Sequence, residues 1–376
     1  MAPSTTRLSE ARAAETTFHV ALMMMGARAY LEARQEWVDV VPVTGEFPAR
    51  QVARWQSAMM QIFRLRRRWA RDLSIPHIRL QRALITGSTV DTRAGRPVDL
   101  NDLRDDFEDA IRKFAPEALE TSLLPDLDPD DTTPPQRALG PTGEAYKPYK
   151  RSSWTDAVKV EVDSLDELED LWAKEEERAG EEIDDILKSL SENLYKAKLE
   201  KIKTDRAAVA DKLRKEAHDS VGRQLAAHAQ RVSMNGGRYN ELDTGLADKK
   251  VQAFARVHNP HDDAMPCGFC AMLLSRGAVY KSARSAGGDV NGHSLYEFHS
   301  LDHCRAVALY VGEDYNSDPR FAVNRIFTNA WNRGAWKNMQ GEKALDQWRR
   351  WIRAKTPAKS EGTSGSAQTI DALLKS

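Results

Sequence analysis

The densest cluster of prolines lies near the end of the first third of the chain and limits how the chain can fold. Residues 116–149 contain seven prolines, and their sequence includes PDLDPDDTTPP. Proline lacks a backbone N–H and breaks helices, and this stretch has no apolar periodicity with which to pack. We therefore predict an extended linker over residues 116–150, which separates an N-terminal unit from the rest of the chain.

The residues before the linker predict a helical domain over residues 1–115. Apolar residues recur every three or four positions from Phe18 to Ala33 and again from Val52 to Phe63, which is the spacing of one face of a helix. The arginine-rich sequence RLRRRWARD follows at residues 64–72. It is consistent with a solvated helix face or with a local basic patch that meets phosphate or acidic groups.

Residues 151–237 predict a long charged helical arm. Ser164 and Glu167 form a capping box before a long run of apolar residues at helical spacing, and the sequence Asn-Gly-Gly at 235–237 is typical of a helix stop. We expect an antiparallel hairpin within this arm. Residues 161–190 carry 13 acidic and 3 basic side chains, whereas residues 191–218 carry 8 basic and 5 acidic ones. This segregation fits pairing between the two helices or an assembly contact with a basic partner.

Residues 238–354 predict a smaller unit of mixed structure. The sequences VQAFARVH at 251–258 and RAVALYVG at 305–312 have the apolar content of strands, and residues 321–352 have helical periodicity with many aromatic side chains. The tail at 355–376 is rich in small polar residues and predicts a flexible segment. The fold class is therefore mainly α, with a long helical hairpin or arm and a small α+β C-terminal module.

The overall charge of the chain restricts its partners. The 376 residues include 55 basic and 56 acidic side chains, which give a net charge of -1. No overall field draws such a chain to nucleic acid or to an anionic membrane, so a charge-driven partner must meet a local patch. No apolar run approaches the roughly 18 to 20 residues that cross a bilayer. We expect no membrane association and synthesis in the cytoplasm.

Metal-ligating residue types are concentrated in the C-terminal module. All three cysteines lie between 267 and 304, and five of the nine histidines lie between 258 and 303. Cys267 and Cys270 have the C-x-x-C spacing that lets two thiolates from one turn bind a tetrahedral ion, and Cys304 offers a third sulfur. We predict a structural Zn²⁺ site of the Cys3His type, with His299 as the first choice for the fourth ligand and His303 as the alternate. The more distant options are His258, His261 and His293.

Two other interpretations of this cluster remain. Cysteine behaves as a small apolar residue, so Cys270 could simply pack in a core. The cluster also contains the residue types of a nucleophilic site, with Cys270 or Ser300 as nucleophile, His299 or His303 as base and Asp302 to orient the base. The sequence has no nucleophile elbow or other local protease signature, so whether the chain is an enzyme stays open.

The sequences PCGFCAMLLSRGAVY and FHSLDHCRAVALY, separated by a Gly-rich gap, resemble the MuF-like minor head proteins of tailed phages. In actinobacterial phages this family is often named capsid maturation protease. The resemblance is best over residues 250–312, and it departs from the family in one respect, because Ala306 stands where a second cysteine of a C-x-C motif is expected.

The resemblance implies a virion protein of the capsid interior near the portal that acts in procapsid and head assembly. Its implied partners are the portal protein and the capsid or scaffold protein, with packaged DNA as a further partner through a local basic patch. The alternative function that it implies is a protease that cleaves scaffold or capsid protein.

Overall fold

The computed structural model describes residues 5–41, 43, 49–91, 98–120, 148–152, 159–164, 177, 180–181, 183–189, 195–202, 207–258, 266, 268–278, 304–339 and 341–355. Within these ranges the protein is mainly helical, with two small sheets. The mainly helical class is confirmed at this level, but the sequence did not predict the sheet of the N-terminal half, and Ser164, the predicted helix cap, is the last residue of the strand Lys159–Ser164. Most of the predicted linker, at 121–147, and most of the tail, at 356–376, lie outside the described residues.

The N-terminal half contains four helices and three short strands. The helices are α1 (Thr5–Val40), α2 (Ala49–Thr86), α3 (Leu100–Phe114) and α4 (Glu117–Glu120). The strands are β1 (Ser88–Asp91), β2 (Val98–Asp99) and β3 (Lys159–Ser164), of which β3 is central, parallel to β1 and antiparallel to β2.

The C-terminal half begins with a short helix α5 (Lys196–Ile202) and the long helix α6 (Ala207–Ala247). It continues with β4 (Val251–Val257), α7 (Gly268–Ser275), β5 (Arg305–Tyr310), α8 (Ala322–Arg333) and α9 (Gly341–Lys355), and short 3-10 turns lie at Pro319–Phe321 and Ala335–Asn338. The two strands predicted on either side of the cysteines are confirmed, and they pair antiparallel.

The helices α1, α2 and α6 pack against one another as a three-helix bundle. Large side chains from all three helices share one cluster, in which Trp37 meets Trp55 edge-on at 5.4 Å and Val221 and Leu225 of α6 close the other side. The described helical residues at 183–189 add Ile183, among others, to this cluster. Burial of this apolar surface is the main force that holds the bundle together.

Glycines allow the helices of the bundle to approach closely. A Cβ atom at Gly236 of α6 would lie 2.1 Å from the backbone oxygen of Arg67 in α2, and one at Gly237 would lie 3.0 Å from Leu22 of α1. A Cβ at Gly26 of α1 would likewise lie 2.9 Å from Met234. Side chains at these positions would hold the helix backbones apart, so these glycines permit the close packing of the bundle helices.

The helix stop predicted at residues 235–237 is wrong, because α6 continues without interruption to Ala247. The loss of helix propensity at two glycines is roughly 1 kcal/mol each, and the close packing against α1 and α2 outweighs it. The expected hairpin within the arm is found only in part. Helix α5 does pack against α6, but α6 also forms one bundle with the N-terminal helices.

The segment after the predicted linker returns to the N-terminal helices. The backbone N–H of Tyr149 donates to Thr17 Oγ1 at 2.8 Å, and its hydroxyl donates to Glu10 Oε1 at 2.8 Å. Arg104 of α3 donates to both oxygens of Glu10 at 2.6 Å. This buried network ties residues 148–152 to α1 and α3.

A tryptophan-rich core organises the C-terminal module. Trp348 of α9 lies 5.1 Å from Trp336 and 5.0 Å from Trp331, and all three pack near Phe327 of α8. The indole N–H of Trp348 donates to the backbone oxygen of Gly268 at 2.8 Å, which links α9 to the start of α7. The same core contains the two described cysteines.

Replacement of Gly236 by alanine tests the close approach of α2 and α6. The added methyl must push two backbones apart, which costs about 1 to 3 kcal/mol, and the better helix propensity of alanine returns only about 1 kcal/mol. We expect a lower free energy of unfolding in urea denaturation. The matched control is Gly180→Ala, where the nearest atom to the added Cβ would be 3.9 Å away. The control should keep or gain stability, and equal stability of both variants would contradict the proposed contact.

Candidate functional site

Four charged or titratable side chains from four elements meet in a buried junction. Arg305, the first residue of β5, donates from one guanidinium nitrogen to both oxygens of Glu241 in α6 at 2.6 Å and forms a second ion pair with Glu15 of α1. His77 of α2 lies between the carboxylates, with Nδ1 3.1 Å from Glu241 and Nε2 3.7 Å from Glu15. The junction therefore connects the bundle to the C-terminal module.

Burial dominates the electrostatics of the junction. Burial, together with the positive charge of Arg320 and the neighbouring His19, lowers the pKa of His77 to about 3, so His77 is neutral near pH 7. Burial also raises the pKa of Glu241 well above its usual value, although Arg238 opposes this shift. The ring of His77 stacks on Phe18 at 4.1 Å, which fixes its orientation.

The junction has no room for a substrate. The cavity beside it has a volume of about 20 Å³ and is lined by Glu15, His77, Glu241 and Arg320, among others. This volume admits about one water molecule. Carboxylates and a histidine at these distances are residue types that also occur in catalytic sites. Because the adjacent cavity is too small for a substrate, these residues have a structural role.

The sequence analysis did not predict this junction. The available signal was Glu15, which lies on the same helical face as the buried Ala11, Phe18 and Leu22 of α1. A carboxylate on an apolar face requires a buried partner. That partner is Arg305, which lies 290 positions away along the chain, so its identity depends on the tertiary fold.

A histidine and a cysteine, two residue types of the predicted metal site, lie side by side at one end of the β4–β5 sheet. Val257 pairs with Arg305, so His258 and Cys304 are the next residues along the two strands. Cys304 Sγ lies 3.7 Å from His258 Nδ1, and both residues are buried. For a tetrahedral Zn²⁺ with bonds of about 2.3 Å to sulfur and about 2.05 Å to nitrogen, the two ligand atoms are about 3.6 Å apart. The observed pair fits this spacing.

Cys270 of α7 lies in the same apolar cluster as Cys304, and the two described cysteines form no disulfide. The other predicted site residues, Cys267, His299, Ser300, Asp302 and His303, lie outside the described residues, as do His261 and His293. Among the residues that the structure does describe, no group of three or more His, Cys, Asp or Glu side chains is arranged to hold a metal ion. Because Cys267, His299 and His303 lie outside the described residues, the predicted ligand set stays a prediction.

The comparison with known families indicates the kind of protein. The family described as VG15 protein matches residues 175–330, and this match suggests a phage protein that is associated with the virion. No curated protein and no solved structure matches the chain. In the described part of the chain, no helix is both long enough and apolar enough to span a bilayer. The matched residues include all of α6, together with β4 and β5, which precede and follow His258 and Cys304.

The neutral His77 predicts a specific dependence of stability on pH. Below pH 6.5 the unfolded chain binds a proton at this side chain that the folded protein does not, so the free energy of unfolding decreases by up to about 1.4 kcal/mol per pH unit. We expect the stability advantage of the wild type over His77→Gln to shrink between pH 7 and pH 5 in urea denaturation. The raised pKa of Glu241 acts in the opposite direction in both proteins. A constant difference between the two proteins would contradict a neutral His77.

Proposed function

We propose that this chain is a phage minor head protein of the MuF-like type, which acts in portal-associated assembly of the procapsid and head. The observation that carries the proposal is the family match at residues 175–330. The motifs that resemble MuF-like proteins, at 250–312, lie inside this range. We further propose that the protein is located in the capsid interior near the portal, with the portal protein and the capsid or scaffold protein as partners.

An exposed acidic surface supports a role in assembly. Glu177, Glu181, Asp184 and Asp185 are exposed, while the apolar residues between them, such as Ile183, are buried against the bundle. The bundle thus holds these carboxylates at its surface. Charge complementarity with a basic surface would orient a partner and accelerate its association. We name these four residues the acidic surface.

Reversal of charge on the acidic surface tests the assembly role. In the variant Glu181→Lys/Asp184→Lys we expect a lower number of copies per purified head, measured by quantitative mass spectrometry of heads from an infected or reconstituted system. The matched control is Asp106→Lys/Asp109→Lys on α3, where both carboxylates are also exposed. Normal incorporation of the first variant, or equal loss in both, would contradict the proposed contact. Absence of the wild-type chain from heads would contradict the function itself.

We also propose that a structural Zn²⁺ stabilises the C-terminal module. The fit of the Cys304–His258 distance to a tetrahedral site supports this proposal, and His258 is therefore the fourth ligand that we favour over His299 and His303. Cys267 and Cys270 would provide the remaining sulfurs. Among the described residues Cys270 does not form a metal-binding group with Cys304 and His258, so binding of the ion would have to bring Cys270 closer to this pair. When bound, the ion would join the end of the sheet to the turn before α7, and it would contribute directly to folding.

Metal analysis of the purified protein tests the zinc site. We expect close to one zinc per chain and a fall in the melting temperature after treatment with a chelator. His258→Gln should lose most of the zinc, whereas the control His218→Gln, at a buried histidine of the bundle, should retain it. If His258→Gln kept its full zinc content and His299→Gln lost it, the fourth ligand would be His299. Less than about one-tenth equivalent in the wild type would overturn the site.

The alternative function, cleavage of scaffold or capsid protein, has less support. Cys270, one of its two candidate nucleophiles, is 4% exposed and lies in the tryptophan-rich core. A nucleophile in such a position is not accessible to a polypeptide substrate. The remaining candidates, Ser300, His299, His303 and Asp302, lie outside the described residues, so we favour the assembly role.

A further inference from the structure

We propose that a groove beside α3 binds an extended segment of a partner protein that combines acidic side chains with an apolar one. The groove has a volume of about 520 Å³ and is open to solvent. It lies outside the matched residues 175–330, so neither the family match nor the proposed function assigns a partner to it. We call it the α3 groove, and it is lined by Glu108, Arg112, Pro116, Leu119, Tyr149, Lys150 and Arg151.

The apolar part of the α3 groove is held in place by the fold. Pro116 lies between α3 and α4, Leu119 lies in α4, and both are partly buried. Tyr149 is buried, and its ring meets Phe107 edge-on at 5.4 Å, while hydrogen bonds to α1 hold its backbone and its hydroxyl. A surface that is fixed before binding loses little entropy when an apolar side chain packs on it.

Two arginines of the groove share one carboxylate. Arg112 donates to Glu108 Oε2 at 2.7 Å, and Arg151 donates to Glu108 Oε1 at 3.2 Å. The side chain of Glu108 is 17% exposed, whereas those of Arg112 and Arg151 are 56% and 35% exposed. The carboxylate is therefore the less accessible group, and the two cations remain accessible to a ligand.

Lys150 adds a third cation to the groove. It is exposed, and no ion pair with it is found among the described residues. The lining thus contains three cations and one carboxylate, an excess of two positive charges. Asp109 pairs with Arg112, and Asp105 pairs with Arg151, but both carboxylates lie outside the lining and are more than half exposed. Exposed ion pairs contribute little to stability, so a carboxylate of a ligand can replace them.

These groups select the chemistry of the ligand. The guanidinium fork of an arginine matches the two oxygens of a carboxylate. Pro116 and Leu119 offer a surface on which one apolar side chain can pack. A protein segment that has both kinds of side chain a few residues apart can therefore use both parts of the groove at once. An apolar anchor with polar contacts around it is the common arrangement of protein interfaces.

Nucleic acid and small molecules fit the groove less well. Residues 100–114 of α3 contain five acidic and three basic side chains, so a polyanion that extends beyond the groove would meet repulsion. Small-molecule sites enclose most of the surface of their ligand, whereas this groove is open. A short acidic segment avoids both difficulties, because only part of it has to enter the groove.

Selection from a library of random octapeptides on the immobilised full-length protein tests the proposal. We expect the selected peptides to combine acidic side chains with an apolar one more often than the unselected library does. We also expect their binding, measured by fluorescence anisotropy, to weaken as the salt concentration rises.

Two matched variants then locate the binding site of the selected peptide. Arg112→Gln/Lys150→Gln should raise Kd about tenfold, because it removes two of the three cations, while Arg151 still pairs with its carboxylate. The control Lys337→Gln/Arg350→Gln removes the same charges from exposed positions of the C-terminal module and should change Kd less than about twofold. If the first variant is less stable than the wild type, Lys150→Glu at its exposed position provides the same test.

The variant Leu119→Ser separates an apolar anchor from attraction by charge alone. We expect a Kd about fivefold higher, with the salt dependence of the wild type, because the three cations remain. An unchanged Kd would show that the peptide has no apolar anchor in the groove, which contradicts the proposal.

Other results would also overturn the proposal. Absence of enrichment would do so, as would an equal loss of binding in the two double variants. Because the full-length protein contains residues 121–147, occupation of the groove by this segment of the same chain would appear as absence of binding. If duplex DNA displaced the peptide as well as unlabelled peptide does, the groove would be a site for nucleic acid. A melting temperature within about 2 °C of the wild type excludes misfolding as the cause.

Discussion

The close contact between α2 and α6 at Gly236 determines how the rest of the molecule is arranged. Because no side chain separates the backbones there, α6 lies near enough to α2 for Glu241, five residues later, to reach His77. The same helix then ends beside β4, whose partner strand β5 begins with Arg305. The close contact of two helices thus positions the carboxylate that receives a buried guanidinium from the C-terminal module.

The buried junction makes this arrangement specific. Arg305 is fully buried, and the desolvation of its charge costs several kcal/mol unless carboxylates surround it. Glu15 and Glu241 provide that environment only when α1, α6 and β5 are in their observed positions. A module docked in a shifted register would leave a buried charge without a partner, which costs about 3 to 5 kcal/mol. The junction contributes less to stability than apolar packing does, but it excludes alternative arrangements of the two halves.

Local patterns in the sequence were sufficient for the long helices and for β4 and β5, but not for the three-stranded sheet of the N-terminal half or for the partners of the elements. Periodicity located α1, α2, β4, β5 and the aromatic helices, because each pattern is complete within a few turns or residues. Gly236 was misinterpreted, since a helix stop and a close helix crossing both require a residue without a side chain. As a candidate for the fourth zinc ligand, His258 was ranked below His299 because His258 lies farther from Cys304 along the chain. The antiparallel pairing of β4 with β5 instead places His258 beside Cys304, across 46 positions.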